Sequence, residues 1–183
     1  MFFGSGDLDG RTMPEEGLEY GMIRLICADE LPMCLEVIHR SFATIAVEFG
    51  LTAENCPTNG AFMPLSRLEA DYTEGNAMWG VFAEEGQVGF CQVGKLRDGC
   101  VELEKLAVLP EYRHRGYGAE MLAAARQRAA ECGAAYLTIG IIEENTRLKV
   151  WYTVNGFMHM GTRRFPHLPF TVGFMRLPLD SKL

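Results

Sequence analysis

The fold is decided by residues 103–118, which read LEKLAVLPEYRHRGYG. This pattern predicts a strand that ends at Pro110, followed by a basic loop with two glycines that leads directly into a helix. The glycines let the backbone approach a ligand because no Cβ stands in the way. The amides of the first helical turn, Arg115–Ala119, add the partial positive charge of a helix N-terminus. Together with the charges of Arg113 and Arg115, they predict a pyrophosphate site.

Two other phosphate motifs do not occur in the sequence. There is no G-x-x-x-x-G-K-[ST], which argues against a P-loop nucleotide hydrolase. There is also no G-x-G-x-x-G followed about twenty positions later by an acidic residue on the next strand, which argues against a Rossmann dinucleotide site. The alternative to a phosphate site is an ordinary helix N-terminus with two surface arginines.

Hydrophobic periodicity and turn residues place this unit among further strands and helices. Strands are predicted at residues 22–27, 77–83, 88–96, 101–108, 136–142, 157–162 and 171–177, and helices after Asp29, over 66–72, over 118–132 and after Asn145. The order β-α-α-β-β-β-α-β-α-β-β predicts a mixed sheet with helices on its faces. The run at 136–142 has no ionisable residue, which is typical of a strand covered on both faces.

The composition describes one ordinary globular domain, with 183 residues, 48% hydrophobic and 22% charged. Residues 1–21 are rich in Gly, Asp and Glu without apolar periodicity, so we expect a mobile extension there and a domain over 22–183. The first residues lack the basic and apolar regions of a secretory signal. No apolar run approaches the ~20 residues of a membrane span. We therefore expect a cytoplasmic protein without membrane association.

Charge and cysteine content narrow the class of partner. The net charge of −7 argues against nucleic acid and favours a cationic partner such as an amine. The six cysteines are scattered, without the C-x-x-C or histidine spacing of a zinc site. We therefore expect reduced, mostly buried thiols and no metal.

Two motifs resemble the GNAT superfamily of acyl-CoA-dependent N-acetyltransferases. The first is R-x-x-G-x-G at Arg113–Gly118 after an AVLP strand end, and the second is NTRLKVWYTVNGF at residues 145–157. The resemblance covers residues 22–178 and includes the order of the elements. It implies an α/β (α+β) fold with a single mixed, mostly antiparallel central sheet flanked by helices. It also implies acetyl-CoA as co-substrate and direct attack by a primary amine through a tetrahedral intermediate.

In this family the strand before the loop separates from its neighbour and leaves backbone groups for the pantetheine arm. Here those groups would belong to Leu106 and Val108, and one amide would polarise the thioester carbonyl. The cofactor-binding residues that the resemblance implies are Leu106, Ala107, Val108, Arg113, His114, Arg115, Gly116, Tyr117, Gly118, Ala119, Asn145 and Tyr152.

Tyr152 matches the tyrosine that lies near the cofactor sulfur in this family. A phenol suits protonation of a departing thiolate because its pKa lies above that of a thiol. The alternative role for Tyr152 is packing on a helix face with Trp151 and Phe157. Asn145 is expected to bind the pantetheine arm and to cap the following helix, and both roles are compatible.

The general base has two candidates, Glu102 and Glu104. The attacking amine must be neutral, so a nearby group has to accept its proton, often through water. Both glutamates share the parity of Leu106 and Val108, so strand alternation predicts four side chains on one face. Glu102 stands at the spacing of catalytic glutamates in the family, whereas Glu104 is nearer the carbonyl. Each could instead be a solvated strand residue.

The loop between the last two strands borders the acceptor entrance in this family. Arg163, Arg164 and His167 make this rim basic, and arginine binds planar carboxylates through two N–H groups. We therefore predict an acceptor with a carboxylate beside its amine, such as an amino acid or a peptide. The alternative is a solvated loop whose arginines pair with surface glutamates.

Two other functions fit the same motifs. One is a non-catalytic acyl-CoA-binding or sensor module, against which the candidate acid and bases argue. The other is a nucleotide-binding regulatory domain, which requires that ATP compete with CoA. A homodimer through the last strands is common in such folds.

Overall fold

The computed structural model describes residues 21–179, so the extension predicted at residues 1–21 lies outside the described residues except for Gly21. Within that range the elements follow the predicted order. The strands are β1 Met22–Leu25, β2 Ala77–Ala83, β3 Gly86–Val93, β4 Cys100–Val108, β5 Tyr136–Ile142, β6 Met158–Arg164 and β7 Thr171–Pro178. The helices are α1 Leu31–Glu48, α2 Leu65–Thr73, α3 Tyr117–Glu131 and α4 Thr146–Val154. In this part of the chain, no helix is long and apolar enough to cross a membrane.

All of these strands form one sheet in the order β1-β2-β3-β4-β5-β7-β6. β4 and β5 pair in parallel, and every other neighbouring pair is antiparallel. The parallel pair arises because α3 carries the chain back across the sheet between β4 and β5. The predicted mixed, mostly antiparallel sheet flanked by helices is confirmed.

Helices cover both faces of the sheet. Gln92 of β3 donates to Asp71 of α2 at 3.1 Å, whereas a Cβ built on Gly89 of β3 would meet Met121 of α3 at 3.0 Å. Because positions 89 and 92 have opposite parity along β3, α2 and α3 lie on opposite faces. α1 packs beside α2 and contacts β3 and β4.

β5 differs from the prediction that both of its faces are covered. Leu137, Ile139 and Ile141 are buried, whereas Thr138 is half-buried and Gly140 is exposed. The prediction is wrong because α3 packs against one face of β5, while α1 packs over β3 and β4 instead, where Asp71 of α2 also binds Gln92 and Lys105. The open face of β5 lies next to the gap described below.

Candidate active site

β4 and β5 separate from each other soon after they pair. Their parallel ladder has three pairs, and the last of them joins Glu102 to Thr138. Beyond that pair β4 continues to Val108 and β5 to Ile142 with no ladder between them, in a region that the structure describes throughout. The expected gap between the strands is therefore present, and one backbone edge of each strand faces it.

A bulge in β4 decides which side chains share a face. Gln92 of β3 lies opposite Glu104, and Phe90 lies opposite Ala107. The extra residue in β4 adopts the left-handed conformation at Lys105, with φ +52°. Because the bulge shifts the alternation by one residue, Ala107 shares the face of Glu104.

The bulge overturns one prediction from sequence parity. Leu106 and Val108 do not share a face with the two glutamates, because the extra residue inverts the alternation beyond it. The backbone of Val108 nevertheless faces the gap. Leu109 N–H donates to the carbonyl of Val88 at 2.9 Å, so the ladder with β3 directs the N–H and C=O of Val108 toward the β5 side.

α3 begins at the predicted phosphate loop. Its N-cap is Gly116, with a left-handed φ of +92°, and a Cβ built there would meet nothing within 4 Å. His114 is exposed and also has a positive φ, +64°. The carbonyl of Gly116 accepts the N–H groups of Ala119 and Glu120 at 2.9 and 3.1 Å, so the expected set of unpaired amides does not extend to Ala119. Open space at a helix N-terminus suits an anion.

The two arginines of the loop have different surroundings. The Arg113 guanidinium donates to the carbonyls of Val108 and Ser41 at 3.2 and 2.9 Å, and to Thr44 Oγ1 at 3.0 Å. Burial lowers the pKa of Arg113. Arg115 is exposed, and its guanidinium lies 5.0 Å from the centre of a tyrosine ring of the same loop. Arg113 therefore points to α1 rather than to the loop surface, which differs from its expected direct role in holding a pyrophosphate. Arg115 is the arginine whose charge lies at the loop surface.

The first turn of α3 faces α4. A Cβ built on Gly118 would meet the indole of Trp151 at 3.4 Å, an ordinary van der Waals contact. Tyr117 has its side chain in the core, at 1% exposure. At a surface site it can therefore contribute its backbone only.

The second motif forms α4 and its cap. Asn145 Oδ1 accepts Leu148 N–H at 3.0 Å, which confirms the predicted helix cap. Tyr152 is 5% exposed, and its ring lies edge-on at 4.9 Å from Trp151 and 5.1 Å from Phe157. Burial raises the pKa of Tyr152, so its phenol stays protonated. Tyr152 therefore packs as the alternative role predicted, and its protonated hydroxyl can still donate a proton.

Glu104 belongs to a closed polar network that the sequence did not indicate. Lys105 Nζ donates to Glu104 Oε2 at 3.0 Å and to Asp71 Oδ2 at 2.8 Å. Gln92 Nε2 donates to the same two oxygens, each at 3.1 Å. We call these four residues the polar square, because each carboxylate oxygen accepts from both donors. The square joins α2 to β3 and β4.

Glu102 has a different environment. Within the described residues its carboxylate has no hydrogen-bond or ion-pair partner. It lines a cleft of about 310 Å³ together with Glu104, Thr138 and residues of α2. Although the residue is exposed by area, desolvation of its carboxylate by the cleft, followed by the charge of Glu104, raises the pKa of Glu102. Of the two glutamates, Glu104 is held by two hydrogen bonds, whereas the Glu102 carboxylate faces the cleft without one among the described residues.

The predicted acceptor rim lies away from this cleft. Arg163 and Arg164 end β6 instead of standing in the loop, and both are exposed, as is His167. The Arg163 guanidinium lies 4.8 Å from the ring centre of Phe165, which is 5.8 Å from that of His167. None of the three predicted residues lines the Glu102 cleft. The end of the loop between β6 and β7 packs against the segment between α1 and α2.

Other parts of the described chain offer less chemistry. A larger groove of about 640 Å³ lies between β2 and α3 and contains none of the predicted site residues. Among residues 21–179, no group of three or more His, Cys, Asp or Glu is arranged to hold a metal ion. The candidate site is therefore the gap, its phosphate loop, Glu102 and Tyr152.

The family is shown by comparison with known proteins. A model described as "Acetyltransferase (GNAT) family" matches residues 51–157, more than half of the chain. The chain belongs to this family. An uncharacterized N-acetyltransferase of Mycobacterium tuberculosis is 35% identical over 78 residues, which cover 43% of this chain and 50% of that protein. The chain spans about half the length of the curated relatives it matches.

Solved structures share the fold. The ribosomal-protein-S18-alanine N-acetyltransferase from Escherichia coli has a TM-score of 0.69 at 16% identity, over 87% of this chain and 94% of that one. The PaiA N-acetyltransferase from Thermoplasma acidophilum, in complex with coenzyme A, has a TM-score of 0.70 at 19% identity, over 86% and 98%. At this level of identity the similarity shows the fold.

Proposed function

We propose that the protein transfers an acetyl group from acetyl-CoA to a primary amine. The observation that carries this proposal is the gap beyond the Glu102–Thr138 pair, which leads to the strand ends where the loop and α3 begin. An unpaired strand edge can bond an extended chain of amides, and a helix N-terminus can hold a pyrophosphate. Membership of the GNAT family supports the same chemistry.

The residues around the gap fit acetyl-CoA. The Val108 N–H faces the gap, whereas Ala107 pairs with Phe90 of β3. We therefore assign the pantetheine arm to the backbone of Leu106 and Val108, with Asn145 on the other side. Nothing stands within 4 Å of a Cβ built on Gly116, which leaves room for phosphate oxygens. We assign the pyrophosphate to the loop from His114 to Gly118, with Arg115 as its cation.

Acetyl-CoA supplies an activated thioester, and the protein supplies proton transfer and polarisation. Glu102 accepts the proton of the attacking amine, directly or through water, because its pKa is raised and its oxygens are unoccupied. A backbone amide of β4 beyond the bulge polarises the thioester carbonyl. Tyr152 gives a proton to the departing sulfur, for which its protonated phenol is suited.

For the acceptor we propose an amine that carries a carboxylate, such as an amino acid or a peptide. The exposed guanidinium groups of Arg163 and Arg164 support this choice, because arginine binds carboxylates in a bidentate manner. His167 stands on the loop that follows these two residues, and the end of that loop packs against the segment between α1 and α2. Glu102 would then lie at the amine end of the acceptor.

The test is thiol release from acetyl-CoA in the presence of a panel of amines. The panel contains amino acids, peptides, aminoglycosides and polyamines, and mass spectrometry identifies the acetylated product. Amine-dependent thiol release with a matching product supports the proposal. Tight CoA binding without acetylation of any amine would make the protein a non-catalytic acyl-CoA-binding module. Displacement of CoA by ATP would favour a nucleotide-binding domain.

A further inference from the structure

We propose that Lys105 is a positioning residue for this reaction: it holds the bulge of β4 in place and presents a fixed positive charge to Glu102. The proposal rests on the proposed function, since it takes Glu102 as the proton acceptor. Two independent features of Lys105 support it, the conformation of its backbone and the contacts of its ammonium group.

The backbone of Lys105 is in a conformation that a lysine rarely adopts. Its φ of +52° lies in the left-handed region, inside a strand. For a residue with a Cβ this conformation is sterically unfavourable, and it persists where surrounding contacts enforce it. Glycine would adopt it without strain. The presence of lysine at this position therefore indicates that its side chain is used.

The ammonium group of Lys105 supplies those contacts. It is the only cation of the polar square, and its side chain is 13% exposed. It bonds Asp71 on α2 and Glu104 on β4 at 2.8 and 3.0 Å. Without the Lys105 ammonium, only Gln92 would stand between the carboxylates of Asp71 and Glu104, and neighbouring like charges repel. Lys105 thus fixes the bulge to α2, and the bulge in turn determines which residues of β4 face the gap.

Several charged groups surround the cleft that Glu102 lines. They are Arg67 and Asp71 from α2, Glu74 directly after α2, Lys95 and Arg97 from the segment between β3 and β4, and Glu104 from β4, with Lys105 bonded to Glu104. Of these, Glu104, Lys105 and Arg97 act on the Glu102 carboxyl. Arg67 is already paired with Asp71 at 3.3 Å. The charge of Lys105 favours the ionised form of Glu102 and opposes the desolvation and the Glu104 charge that raise its pKa. Removing the ammonium should therefore raise the pKa of Glu102 further.

The test is a titration of the Glu102 side-chain carboxyl by carbon-13 NMR in the full chain without substrates. Lys105→Met removes the charge and keeps most of the stem, and Lys105→Gly removes the ammonium while accepting the left-handed backbone. Lys105→Arg retains the charge. Lys95→Met is the matched control, because it removes a lysine of the same cleft that lies outside the polar square.

We expect Lys105→Met and Lys105→Gly to shift the Glu102 titration to higher pH, and Lys105→Arg and Lys95→Met to leave it near the wild-type position. An unchanged titration in the first two variants would overturn the proposal. The same two variants should move the acid limb of kcat/KM to higher pH. A shifted titration with an unmoved acid limb would refute the role in the reaction. Failure of the wild type to acetylate any amine contradicts the proposed function separately.

Discussion

Glu102 and Thr138 form the last pair of the parallel ladder, and the gap between β4 and β5 begins directly after them. The cleft of about 310 Å³ contains both residues and extends toward α2. The gap leads in the other direction, toward the phosphate loop and α3. A thioester held in the gap and an amine held in the cleft would therefore meet beside Glu102, which explains why its protonation is central to the proposed reaction.

Glu102→Gln should lower kcat/KM by about 10²–10⁴-fold, the usual value of general base catalysis. The loss should be largest above the pKa of Glu102, where the wild-type carboxylate is ionised, and smaller at low pH, where the wild-type group is protonated as well. Glu104→Gln should have a smaller effect and should move the acid limb to lower pH, because the Glu104 charge raises the pKa of Glu102. Rate measurements against pH for the two variants decide between the glutamates. If both keep the wild-type profile, neither is the base.

Tyr152→Phe should lower kcat and leave CoA affinity nearly intact. The change removes a proton donor but keeps the ring contacts with Trp151 and Phe157. Since burial raises the pKa of Tyr152, the wild type should show no alkaline limb from this group below its ordinary value near pH 10. Single-turnover kinetics together with CoA binding test both statements. A decrease in kcat of less than about threefold would mean that another group or water protonates the thiolate.

Arg113 and Arg115 should differ in what their loss changes. Arg113→Met removes hydrogen bonds to α1 and β4, which should destabilise the fold by about 1–3 kcal/mol. Arg115→Met should leave the melting temperature nearly unchanged and weaken CoA binding most at low salt, where an exposed charge acts furthest. Calorimetry at two salt concentrations and thermal unfolding measure these effects. A stable Arg113→Met variant with a large loss of CoA affinity would reverse the assignment.

The sequence predicted the elements, and the loop that leads from β4 into α3, because both depend on local patterns. Asn145 is the clearest case: an asparagine before an amphipathic run predicts an N-cap, and its Oδ1 accepts Leu148 N–H. The strands over 77–83 and 136–142 were predicted at their observed bounds, since turn residues bracket them. The family motifs then indicated where the cofactor site should lie.

The chemistry at the site depends on contacts that no local pattern contains. Strand parity placed Glu102 and Val108 on one face, and the bulge at Lys105 inverts that relationship. Lysine gives no sequence signal for a left-handed conformation, which glycine or asparagine would have given. Arg113 reaches Ser41 and Thr44, which are about seventy residues distant in sequence. Asp71 joins the polar square from a different helix in the same way.

Arg163→Ala and Arg164→Ala should raise the KM of the acceptor and leave the KM of acetyl-CoA unchanged. The reason is that both guanidinium groups are exposed at the end of β6, where they can bind an acceptor carboxylate. Arg126→Ala on α3 is a control for the loss of a surface charge. Steady-state kinetics with the best amine of the panel gives both constants. A polyamine without any carboxylate as best substrate would contradict this prediction.

CoA binding to the Gly118→Asp variant, measured by calorimetry beside the Gly118→Asn variant, tests the proposed pyrophosphate site directly. The fold should tolerate both side chains, because a Cβ there meets Trp151 at an ordinary 3.4 Å and an acidic residue suits the first turn of a helix. The Asp and Asn side chains have nearly the same size, so their difference isolates charge. We predict that Gly118→Asp abolishes CoA binding while its melting temperature stays at the wild-type value. Gly118→Asn should weaken CoA binding less. Unchanged CoA affinity in a folded Gly118→Asp variant would contradict the assignment of the pyrophosphate to the start of α3.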